Sequence, residues 1–81
     1  MIYCKKKEQG ENFAVYNYGH TTKNMTGEVR FSSSGEEIET YIIKYPDDDQ
    51  LKKYGISKVV HKYFTDLLSC SFPEKMAYER G

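Results

Sequence analysis

From Ile56 to Leu68 the apolar residues Ile56, Val59, Val60, Tyr63, Phe64, Leu67 and Leu68 recur at spacings of three and four. That period sets all of them on one side of an α-helix. It predicts a main helix over about 57–70 that needs an apolar surface to lie on. The preceding chain has the period of two expected of strands with one dry face. Residues 13–18 and 37–45 are rich in aromatic and β-branched types, and Val29 and Phe31 alternate with Glu28 and Arg30. Residues 1–4 read as a short opening strand that ends where Lys5, Lys6 and Lys7 begin.

Turn chemistry separates these runs, with Gly10 and Asn12 after the first strand and Ser34-Gly35 before the last. Connections this short favour antiparallel neighbours. Pro46 closes the last strand, and Asp47, Asp48 and Asp49 suit the start of a first short helix, as cap and dipole partners. That helix is expected to end at Tyr54, with Gly55 as its left-handed terminus and Ile56 folded back on Leu51. Ser71 and Glu74 stand at capping-box spacing with Pro73 between them, which predicts a short last helix to Tyr78. The fold class is therefore α+β: an antiparallel meander of three to four strands followed by helices, the main helix packed on one face of the sheet. Residues 1–81 are expected to form a single domain.

Composition narrows the function more than it identifies it. Twelve basic and twelve acidic side chains cancel, and they cancel locally too, with six of each in residues 1–45 and six of each in 46–81. Binding driven by the nucleic-acid backbone ordinarily needs a basic surplus. There is no apolar run long enough to cross a membrane and no leader-like apolar segment, so the expectation is a cytoplasmic protein without membrane contact. Cys4 and Cys70 match no zinc or CxxC spacing and are expected to be free thiols.

Candidate chemistry is sparse, and neither a metal nor a cofactor is expected. Helix capping accounts for the aspartate triplet, and no glycine-rich phosphate loop, HExxH or GxSxG element occurs. His20 lies beside Thr21 and Thr22 in the polar loop 19–27, where a solvated histidine is the plainer reading, and His61 borders the helix stripe. The informative feature is eight tyrosines without a tryptophan. With Phe13, Val15, Val29, Phe31, Ile38 and Ile42 turned to the helix, the reverse face would gather Tyr16, Tyr18, Tyr41 and Tyr45. Tyrosines on an open sheet suit a protein interface.

The expected function is thus a small non-enzymatic protein-interaction module. It would bind a partner protein, or itself as a homo-oligomer, through Tyr16, Tyr18, Tyr41, Tyr45 and His20. The alternative is a single-stranded nucleic-acid-binding protein, stacking bases on tyrosines with Lys5, Lys6, Lys7, Arg30 and Lys44 on phosphates. A third reading is a small enzyme built on Cys4 or His20. On the first reading Tyr16→Ala with Tyr18→Ala leaves the fold intact and abolishes partner capture.

Overall fold

The computed structural model describes residues 1–47 and 55–79. The short helix expected before Gly55, with its contact between Ile56 and Leu51, lies outside the described residues. Gly55 itself opens a helix instead of standing as the left-handed terminus expected of it.

Five strands form one antiparallel sheet: β1 (Ile2–Gln9), β2 (Phe13–Gly19), β3 (Gly27–Ser33), β4 (Ile38–Lys44) and β5 (Lys75–Tyr78). Their spatial order is β4-β3-β2-β1-β5. Two short helices, α1 (Gly55–Lys62) and α2 (Phe64–Leu68), precede β5 in sequence. The class is α+β with an antiparallel sheet.

Register divides the side chains into two faces. Cys4 pairs with Tyr18 and Met76, Tyr16 with Val29, Ala14 with Phe31, and Val29 with Ile42. Directly opposed residues in antiparallel strands share a face, so these form one surface, and Ile56, Val59, Leu67 and Phe72 join it in a single buried cluster. The opposite face carries Tyr3, Lys5, Val15, Asn17, Arg30 and Tyr41 by the same register.

Strand β2 is therefore turned over relative to the expectation. Ala14, Tyr16 and Tyr18 point into the core, and Phe13, Val15 and Asn17 point away from it. Both parities of this strand are apolar, so its periodicity carries little information about facing, and a change of one residue exchanges the faces. Tyr16 favours the observed choice: its hydroxyl donates to the Pro73 carbonyl at 2.6 Å, and its ring meets Phe31 edge-on at 5.6 Å.

A fifth strand takes the place of the expected last helix. A helix of only about two turns from Ser71 to Tyr78 is too short to hold by itself, whereas pairing with β1 sets Met76 opposite Cys4 and buries it. The Ser71 hydroxyl lies 3.1 Å from that of Ser69.

The main helix is present as two pieces joined at Tyr63. Helical hydrogen bonds bracket the joint, from Tyr63 N–H to the Val59 carbonyl at 3.0 Å and from Leu67 N–H to the Tyr63 carbonyl at 2.9 Å. The Tyr63 hydroxyl is engaged with strand β5, accepting from Ala77 N–H at 3.2 Å and facing the Ala77 carbonyl at 3.3 Å. Of the seven stripe residues, Ile56, Val59 and Leu67 are buried, while Phe64 is 46% exposed and lies outside the core.

Helix α2 ends in a Schellman motif, with Ser71 N–H on the Asp66 carbonyl at 3.0 Å and Cys70 N–H on the Leu67 carbonyl at 3.2 Å. The left-handed position is held by Cys70, at φ 62. A β-carbon in that conformation costs about 1–2 kcal/mol, part of which glycine gives back through its freer unfolded chain. Cys70→Gly is expected to raise stability by about 0.5–1 kcal/mol in urea unfolding. An unchanged or lower midpoint would show that the Cys70 side chain contributes packing that outweighs the strain.

Candidate functional site

The four tyrosines expected on one open face are divided between two places. Tyr16 and Tyr18 are completely buried, whereas Tyr41 is 58% and Tyr45 50% exposed at the β4 side of the sheet. Contrary to the expected open face, burial leaves neither Tyr16 nor Tyr18 accessible for direct contact with a partner. Tyr41 keeps its expected outward position, beside Ile43 at 46% exposure. His20 is exposed in the loop that follows β2.

Strand β4 is an edge of the sheet and largely exposed, with Tyr41, Ile42 and Ile43 set between the charged Glu39 and Lys44. The Arg30 guanidinium lies 5.4 Å from the Tyr41 ring centre, so this end of the outer face combines aromatic area with a cation. Register shifts between Glu28 and Val29, placing Lys44 opposite Glu28 and leaving Ile43 as the extra residue of a bulge. The other edge is finished differently. Along β5 the backbone of Ala77 is met by the Tyr63 hydroxyl, and the Lys62 ammonium donates to its carbonyl at 2.8 Å.

A second feature lies across the sheet, where a concavity of about 460 Å³ is lined by Tyr3, Lys5, Thr22, Met25, Tyr63 and Lys75, with Cys4, Met76 and Ala77 completing it. Loop residues reach it because Gly19, the register partner of Tyr3, has no side chain. A β-carbon there would run into the Asn24 carbonyl and the Met25 backbone. Met25 and Thr22 escaped the sequence reading because loop 19–27 has no periodicity from which to place them. Lys75 escaped it because that segment was expected to be helical.

The titratable core groups are not activated. Burial pushes the Cys4 thiol up to about 12, the reverse of the depressed value that a nucleophilic thiolate needs. Burial, then the nearby Tyr45 and Cys4, pushes Tyr18 up to about 12. Tyr16 is raised by the same first cause, burial, with Cys4 and Glu74 adding to it. Cys4 and Cys70 are both free. Among the described residues no group of three or more metal-ligating side chains comes together, and no helix is long and apolar enough to cross a membrane. Comparisons with protein-family models, with curated proteins and with solved structures find no match.

Two measurements follow from the buried phenols and thiol. Among the described residues the buried Tyr18 hydroxyl has no hydrogen-bond partner, whereas that of Tyr16 is satisfied. Tyr16→Phe should therefore cost about 0.5–1.5 kcal/mol and Tyr18→Phe should be neutral or stabilising by up to about 1 kcal/mol. Equal losses would show that Tyr18 also has a partner. An acid whose folded pKa is raised holds its proton more tightly when folded. Its contribution is complete below the unfolded value and is lost as pH climbs through the folded one. With Cys4 rising from 9.0 and Tyr18 from 10.0, both to about 12, Tm should hold to about pH 9 and fall progressively toward pH 12. Cys4→Ala should flatten the first part of that fall, and a pH-independent Tm over the interval would refute the assignment.

Proposed function

We propose that the protein is a small non-enzymatic binding module whose β4 edge accepts an extended segment of a partner protein as a sixth strand. The observation that carries this reading is the contrast between the two edges. Ala77 on β5 is occupied by Tyr63 and Lys62, while β4 presents Tyr41, Ile43 and the adjoining Tyr45 to solvent. A bare edge of β-forming residues is a template for strand addition, in which main-chain hydrogen bonds give affinity and exposed side chains give selectivity. The bulge at Ile43 limits indiscriminate pairing by twisting the end of the strand. The two helices over one face of the β1–β4 meander act as scaffold, leaving recognition to the other face and its edge.

This reading moves the interface from the buried Tyr16 and Tyr18 to Tyr41, Tyr45, Ile43 and Arg30, with loop 19–27 outside it. A non-enzymatic role is supported by the burial of Cys4, which raises its pKa away from the thiolate a nucleophile needs. Single-stranded nucleic acid is the weaker reading, because Lys7 is paired with Glu28 and Lys6 with Glu74 instead of standing ready for phosphates.

The double variant Tyr41→Lys with Ile43→Lys charges the edge while changing global stability by no more than about 1 kcal/mol. Affinity capture from the native cell should lose its specific partner with this variant, and β4 amides of the wild-type complex should gain protection from hydrogen exchange. The proposal fails if the variant retains the same partner, or if protection appears elsewhere. Concentration-dependent sedimentation abolished by the same variant would instead identify the added strand as that of a second copy.

A further inference from the structure

The concavity between loop 19–27 and strands β1 and β5 is distinct from the β4 edge and has its own electrostatic signature. Lys5 and Lys75 are direct register partners, and both are exposed. Like charges directly opposed across strands repel each other. Among the described residues the ion pairs engage Lys6 with Glu74 and Lys7 with Glu28, and neither includes Lys5 or Lys75. Two lysines paired in register and lining one concavity can converge on a shared anion, each gaining a charge-assisted hydrogen bond. The remaining wall supplies the Tyr3 and Tyr63 rings, the Met25 thioether and the Thr22 hydroxyl. A volume of about 460 Å³ falls in the range of small-ligand sites, which pair an apolar lining with a few convergent polar groups.

We propose that this concavity binds a small organic anion, with a carboxylate or phosphate head on Lys5 and Lys75 and an aromatic or apolar body against Tyr3, Met25 and Tyr63. The charged head fixes orientation, and the body supplies buried area that an inorganic ion lacks. Thr22 and Met25 of loop 19–27 form one wall, so the ligand would contact the same segment that Gly19 admits to the sheet.

The test is titration of the full chain with benzoate, phenyl phosphate, inorganic phosphate and neutral benzyl alcohol, followed by amide chemical shifts. Benzoate or phenyl phosphate should shift Lys5, Thr22, Met25 and Lys75 together, and whichever binds more tightly names the head group. Inorganic phosphate and benzyl alcohol should each bind at least about tenfold more weakly, since each lacks one half of the recognition. Lys5→Gln with Lys75→Gln, both surface changes, should reduce affinity for the aromatic anion by about tenfold or more while circular dichroism stays constant. The proposal is overturned if no shifts appear up to about 5 mM, near the limit of meaningful affinity. It is equally overturned if benzyl alcohol binds as well as benzoate, or if the double variant binds unchanged. A labelled single-stranded oligonucleotide that binds more tightly than phenyl phosphate, with a steep salt dependence, would assign the lysines to nucleic acid and likewise overturn it.

Discussion

Tyr16 is the residue on which the rest of the arrangement depends. It sits on the central strand β2, opposite Lys6 on one neighbour and Val29 on the other, with its ring against Phe31 and its hydroxyl on the Pro73 carbonyl. The hydrogen bond spans 57 residues and fastens the segment between α2 and β5. With Pro73 held, the following residues lie beside β1, where Lys6 N–H reaches the Glu74 carbonyl at 2.9 Å and Met76 meets Cys4. One buried phenol thus couples the facing of β2 to the addition of a fifth strand. A fully buried aromatic is favourable here because its single polar atom is satisfied.

The residues differ in how openly they disclose these positions. The stripe around Val59 and Leu67 and the alternation of Val29 with Phe31 follow periods that only one element explains, and both residue pairs are buried. Strand β4 was also legible, with Ile42 turned inward and Tyr41 outward. Strand β2 was not, because Val15 is only 5% exposed on the face away from the core, and a strand covered on both sides has no alternation to read. Residues 75–78 were misassigned for a related reason. Local capping chemistry at Ser71 and Glu74 pointed to a helix, and the competing gain, a β1 partner with a hole for Met76, is a tertiary effect that no local pattern contains. The candidate surfaces inherit these limits: the exposure of Tyr41 and Tyr45 agrees with the sequence pattern, while the placement of Lys75 and Met25 depends on contacts distant in the chain.

The two sheet edges receive different treatment from the same few residues. The break between α1 and α2 at Tyr63 coincides with the place where the tyrosine hydroxyl addresses both polar groups of Ala77. Lys62, one residue earlier, satisfies the carbonyl a second time. A side chain that stands in for a neighbouring strand blunts that edge against unwanted pairing. Helix continuity and edge protection are therefore linked through one residue. No comparable cover from the described residues reaches the β4 edge, where Tyr41 and Ile43 add exposed apolar area to an available backbone.

Charges that balance along the sequence are still sorted individually by the strand register. Of the lysines that follow Cys4, Lys6 turns toward the buried face and is occupied by the Phe72 carbonyl at 3.0 Å and by Glu74 at 3.7 Å. The bulge between Lys6 and Glu8 accompanies Lys7 to Glu28, which raises the Lys7 pKa through that hydrogen bond and charge. Lys5 alone is carried by the strand to a position opposite a second lysine. Screening at physiological ionic strength weakens interactions between exposed charges over about 8 Å, so the pairing of these two lysines matters more than the formal total. A chain whose formal charge sums to zero can in this way keep a positive site, because what an anion meets is the local register and not the total.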